Sequence, residues 1–338
     1  MKKYYEEVDI LKGIAIILVI IGHAIIVFPI NLLEIEWCNN LYTFIYISHM
    51  PLFFLISGFC YSYKNYLKEY LTKKIQRILI PYLIFSFIDL LPRILLTQFV
   101  NRPMNAIDGI KRIFLEGGEY WFLYSLFCIF LFMPLIYKYI IKSRKKYCKY
   151  ILLLFIILID LINLPEIFLI EKTIYFYKYF IIGCIIKEEF ERTIKIKDIL
   201  AKYKFLIIAI SFAIMCFYII FINEIENYYI VQIMISIIGC LFWYEIGNII
   251  KLLNGFKKLV KTCGKYSLQL YLLNGYFLTF ARMIIVNVCN INNAIIIILF
   301  NSLFCILLPI LLIDKVFMKF KITRILTGCN GISDRNNN

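Results

Sequence analysis

The chain holds two histidines, His23 and His49, and both fall inside long apolar runs. An ionisable side chain in a hydrocarbon layer is costly, so each is a candidate for chemistry. Neutral imidazole exchanges protons near pH 7 and suits general acid–base work. Either histidine alone is equally well read as a hydrogen bond between two helices of a bundle. Their depths argue for more. Read as antiparallel neighbours, the two runs place both imidazoles roughly 5 Å outward of the midplane. Lys12 precedes His23 by about 1100° of helix, close to three full turns, so the two share one face about 16 Å apart. That face joins the inner surface to a buried imidazole. Asp9 is spaced to pair with Lys12.

Other polar groups recur at defined places. SHMPLFFLISGF (Ser48–Phe59) carries Pro51, which is expected to kink its helix, and Ser57-Gly58, a small surface that another backbone or a ligand can approach. KKIQRILIPY (Lys73–Tyr82) opens with Lys73, Lys74 and Arg77. Such a cluster suits phosphate and serves equally as a topology signal or lipid contact. Asp89 and Arg93 are spaced to neutralise each other. Glu116 and Glu119 precede Trp121 and Tyr124, acidic and aromatic groups suited to a sugar or to an interfacial belt. Glu245, Gln269, Asn274, Arg282 and Asn301 each read as an interhelical hydrogen bond.

The elements that position these groups follow from composition. Of 338 residues, 62% are hydrophobic and 17% charged, which excludes a soluble domain. Apolar run length predicts an all-α polytopic bundle of about ten spans, near 10–30, 41–63, 79–100, 120–141, 150–165, 173–187, 205–223, 229–250, 267–287 and 294–314. The run from Ile10 to Ile30 is too long for a signal-peptide core and reads as a retained span. Residues 1–326 form the membrane domain, and 327–338 are expected to be a disordered tail. The formal charge of +15 sits on one side: alternate loops and the termini hold 30 of the 37 Lys and Arg. The basic loops and both termini are therefore expected in the cytoplasm, against anionic lipid and not nucleic acid. The 11 cysteines show no CxxC pair and read as small fillers; no metal-ligand cluster is seen.

DILKGIAIILVIIGH (Asp9–His23), SHMPLFFLISGF, KKIQRILIPY, EYWFLYSLF (Glu119–Phe127) and GKYSLQLYLLN (Gly264–Asn274) occur in order. Together they resemble the membrane acyltransferase 3 family, ten-helix bacterial enzymes that acylate surface carbohydrates. The basic-residue-x10-His motif of that family falls on Lys12 and His23, and YWFLY resembles its sugar O-acetylase branch. Lys12 stands where Arg is frequent, Asn274 where many members have His, and the longer basic pattern is carried by Lys73, Lys74 and Arg77 alone. The resemblance implies an inner-membrane enzyme taking acetyl-CoA as acyl donor and a carbohydrate or lipid-linked glycan as acceptor. It implies His23 as base, His49 as a second hydrogen-bond donor, and Lys12, Lys74 and Arg77 on the CoA phosphates. It places Glu119, Trp121, Tyr124 and Asn274 toward the acceptor. A transporter or flippase for a lipid-linked sugar, or an accessory subunit of polysaccharide synthesis, uses the same kind of bundle.

Overall fold

A computed structural model describes residues 5–27, 30–63, 66–95, 102–143, 145, 147–162, 164–165, 167–192 and 194–329, without the side chains of 190–201. The helices are α1 (Glu6–Ile26), α2 (Glu36–Tyr46), α3 (His49–Phe59), α4 (Leu67–Lys74), α5 (Ile80–Leu95), α6 (Ala106–Glu116), α7 (Trp121–Ile136) and α8 (Cys148–Asp160). They continue as α9 (Ile170–Arg192), α10 (Ile194–Ile220), α11 (Ile222–Ile225), α12 (Tyr229–Ile250), α13 (Asn254–Lys265), α14 (Ser267–Met283), α15 (Ala294–Leu312) and α16 (Lys321–Leu326). The described residues contain no strand.

Eight helical stretches are long and apolar enough to cross a membrane: 6–26, 36–59, 67–95, 106–141, 202–220, 229–250, 267–288 and 294–317. The other two expected spans are helical but fall short for separate reasons. Helix α8 has 13 residues, about 20 Å against a hydrocarbon core of about 30 Å. Helix α9 is long enough at 23 residues but carries Glu171, Lys172, Lys178, Lys187 and Glu188. Elsewhere the apolar surface faces outward. On α15, Ile295, Leu299, Leu303, Leu307 and Leu311 are each more than 50% exposed, four residues apart. A stripe this long is a lipid-facing surface, because water would not tolerate it.

The chain forms two compact units, Met1–Ile56 with Lys187–Ile313, and Ser57–Ile186 with Asp314–Asn338. In the first unit α1 is the central helix, packed by α12, α13, α14 and α15. Its first turn carries Glu6, Glu7 and Asp9, which favour a helix N-terminus. Close approach is set by two glycines: a Cβ on Gly13 would lie 2.0 Å from Val260 O, and one on Gly264 only 1.8 Å from Asp9 O. The opposing atoms are backbone and cannot swing aside. Gly264→Ala is therefore expected to cost about 1–3 kcal/mol by overpacking, read as a lower thermal midpoint of the purified protein.

The helix break expected at Pro51 is present. Helix α2 ends at Tyr46, Ile47 and Ser48 form a turn, and α3 restarts at His49. Pro51 then sits in the first turn of α3, where a missing N–H does no harm. The break is held from α12: Trp243 Nε1 donates to Ser48 Oγ at 3.0 Å, and Gly239 faces the Ser48 side chain.

In the second unit the small surface at Gly58 receives a backbone, as its composition suggested. A Cβ there would lie 1.9 Å from Phe180 O, and Cys184 Sγ donates to Gly58 O at 3.3 Å. Helix α6 is capped by Asn105, whose side chain accepts from Asp108 N at 2.8 Å, and ends at Gly117 with φ 69°. Thr327 and Cys329, the start of the expected tail, are buried; residues 330–338 lie outside the described residues.

Candidate functional site

The first unit holds both imidazoles, His49 buried and His23 half-buried. Helix α1 is unbroken from Glu6 to Ile26, so Lys12 and His23 keep the common face that their spacing implies. Asn274 of α14 donates from Nδ2 to His23 Nδ1 at 2.8 Å. His49, 4% exposed, turns its Nδ1 back to Ile45 O at 3.0 Å. The two imidazoles lie within electrostatic reach of one another. Tyr46 touches both helices. Its ring meets the His49 ring at 4.5 Å between centroids, and it fills the space beside Gly22, the neighbour of His23. The sequence reading missed Tyr46, although its place three residues before His49 was the available signal.

Arg282, fully buried, donates to Ile30 O at 2.8 Å and also to Ala24 O. Through Ala24 it serves an orphan carbonyl at the end of the helix that bears His23, where a cation also suits the helix dipole. Asn301 on α15 is fully buried, and neither of its side-chain polar atoms has a hydrogen-bond partner among the described residues.

The inner end of α1 differs from expectation in one respect. Asp9 does not take Lys12. The first-turn acids reach outward instead, Glu6 to Lys261 at 2.9 Å and Glu7 to Lys251 at 2.7 Å. Lys12, half-buried, has no carboxylate partner among the described residues. A cation so placed is available to an anionic ligand.

The second unit holds the remaining candidates at two ends. Lys74 lies over the Phe130 ring at 3.3 Å, a cation–π contact. Arg77 sits in the widened turn Ile75–Leu79, and Lys73 is paired with Glu69. Some 16 residues beyond Arg77, roughly 25 Å along the helix, Arg93 forms the expected pair with Asp89 at 2.9 Å. Arg93 also binds Glu119 at 3.1 Å, and Arg112 binds the same carboxylate at 2.9 Å. This network lines one side of a small pocket whose other walls include Ser86, Leu90, Ile113 and Tyr120. Trp121 packs on Phe176, with Lys172 over its ring, and Tyr124 donates to Phe114 O at 3.0 Å. The role of Arg112 was not read from the sequence; an acidic Glu119 with no cation in its own motif was the hint.

A family model described as an acyltransferase domain matches residues 5–314. The chain belongs to the acyltransferase 3 family. The matched range contains every residue of both polar groupings. Two relatives of this acyltransferase-family chain carry the name nodulation protein NolL. The one from Sinorhizobium fredii is 24% identical over 212 residues, 62% of this chain and 55% of the relative. That from Mesorhizobium japonicum is 30% identical over 128 residues, 36% of this chain and 33% of the relative. The chain thus matches about half the length of the first relative and a third of the second. No solved structure matches. Among the described residues, no group of three or more His, Cys, Asp or Glu is placed to hold a metal ion.

Proposed function

We propose that this protein is a multi-pass acyltransferase of the cytoplasmic membrane. It moves an acyl group, acetyl as first choice, from cytoplasmic acyl-CoA to a hydroxyl of a cell-surface polysaccharide or its precursor. The observation that carries this reading is the pair of imidazoles, half-buried His23 held by Asn274 and buried His49 held by Ile45 O, within an acyltransferase-family bundle. Transfer to an alcohol needs a group that takes the hydroxyl proton and a donor for the tetrahedral oxyanion. Two imidazoles, one as base and one as donor, can supply both.

In this reading both termini are cytoplasmic, and α8 and α9 complete ten spans. Lys12, in the first unit, serves the phosphates of the donor. Lys12→Ala is expected to weaken acetyl-CoA binding about tenfold, the worth of one charge-assisted contact. Titration calorimetry of the detergent-purified protein measures it, and unchanged affinity would return Lys12 to a topology signal.

The deciding experiment incubates purified protein with radiolabelled acetyl-CoA and candidate glycans. Label on the glycan supports transfer. Glycan movement across liposomes without a donor would make the protein a transporter, and neither result would make it an accessory subunit.

A further inference from the structure

We propose that the two imidazoles are fixed as opposite tautomers by their Nδ1 partners, which makes His49 the base and His23 the oxyanion donor. The inference rests on the acyl-transfer reading and reverses the roles implied by the family motif.

A main-chain carbonyl can only accept. His49 Nδ1, 3.0 Å from Ile45 O, must therefore carry the hydrogen. The neutral His49 ring then has its lone pair on Nε2, as a base requires. His23 is held the other way. An amide nitrogen can only donate, so Asn274 Nδ2 at 2.8 Å requires the lone pair of His23 on Nδ1. The proton of His23 is then on Nε2, where the ring donates. The amide orientation follows from the cost of the alternative. As placed, Asn274 leaves only its Oδ1 without a partner among the described residues. The reverse would leave an NH2 group buried with no acceptor, and orphaned N–H groups are rarer than under-satisfied carbonyls.

The roles balance chemically. The acceptor hydroxyl oxygen bonds to the thioester carbonyl carbon while its proton passes to His49 Nε2. The former carbonyl oxygen becomes an oxyanion and accepts from His23 Nε2–H. The tetrahedral species collapses, the C–S bond breaks, and the His49 imidazolium returns its proton to the departing thiolate. The products are the ester and the free thiol, with no covalent intermediate on the protein. Asn274 acts through His23 and is a positioning residue.

With only two histidines in the chain, ¹⁵N-histidine labelling yields two imidazoles, assigned by observing which signals disappear in His23→Gln and His49→Gln. The expected spectrum shows Nε2–H on His23 and Nδ1–H on His49. Nδ1–H on His23, or Nε2–H on His49, would overturn the assignment. Asn274→Asp, whose carboxylate can only accept, is expected to convert His23 to the Nδ1–H form; an unchanged His23 signal would remove Asn274 from this role.

Rates provide the second test. A glutamine amide places an N–H near the Nε2 position but is not a base. His23→Gln is therefore expected to retain at least about tenfold more activity than His23→Ala, a share of what one oxyanion donor is worth. His49→Gln is expected to be as inactive as His49→Ala. Rescue by glutamine at 49 and not at 23 would reverse the roles. A wild-type protein that transfers no acyl group would sink the acyl-transfer reading, while the ¹⁵N spectrum would still decide the tautomers.

Discussion

Alanine at His23 or at His49 is expected to lower acyl transfer by about 100-fold or more, with membrane insertion and abundance unchanged. The size follows from what is removed. A positioned general base contributes about 10²–10⁴-fold, and an oxyanion donor about 10²–10³-fold. The retained fold follows from the surroundings: α1 is seated by backbone contacts at Gly13 and Gly264, well before His23, and the break before α3 is held by Trp243 on Ser48. Neither anchor uses an imidazole. The double variant discriminates further. If both rings act on one transition state, losing the second after the first costs little more, because groups that work as a unit are far from additive. Two independent roles would multiply. Initial rates with labelled acetyl-CoA for the wild type, both single variants and the double variant measure this. Normal transfer by His23→Ala would remove that residue from the reaction.

The sequence exposed what depends on spacing along one helix and hid what depends on partners across the fold. Lys12 and His23 were legible because eleven residues of unbroken helix leave them no choice of face. The break at Ile47 and Ser48 was legible because proline carries its own geometric restriction. Asn274 was visible as an in-span amide, but its contact with His23 crosses 251 positions of chain. The Asp9–Lys12 pair was expected because those two residues are near in sequence. In the fold the neighbouring acids Glu6 and Glu7 meet Lys261 and Lys251, whose arrival no local pattern announces. Arg282 was harder still, since its acceptors are main-chain carbonyls, which leave no side-chain signature. The spans near 150–165 and 173–187 show the limit of hydropathy: apolar run length located both helices without revealing that one is short and the other charged.

Those two helices carry the second large effect, which the sequence did not disclose at all. Lys178 Nζ meets Asp160 at 2.6 Å, with the two side chains 0% and 3% exposed, and the ammonium also lies 3.5 Å from the Tyr175 ring centroid. Removing one partner of a buried pair strands the other charge, at about 3–5 kcal/mol. Asp160→Asn and Lys178→Met are each expected to lower the thermal midpoint of the detergent-purified protein by several degrees and to reduce its yield. The pair itself is a different quantity from the loss of either half. Two charges taken out of water regain by attraction little more than their desolvation cost, so an apolar replacement of both is close to neutral. The double variant Asp160→Leu with Lys178→Met is therefore expected to recover most of the stability that either single variant loses. A double variant as unstable as the singles would instead mean that the charges hold α8 against α9 by geometry that packing cannot replace. Single variants that melt with the wild type would mean that water reaches the pair and solvates whichever charge remains.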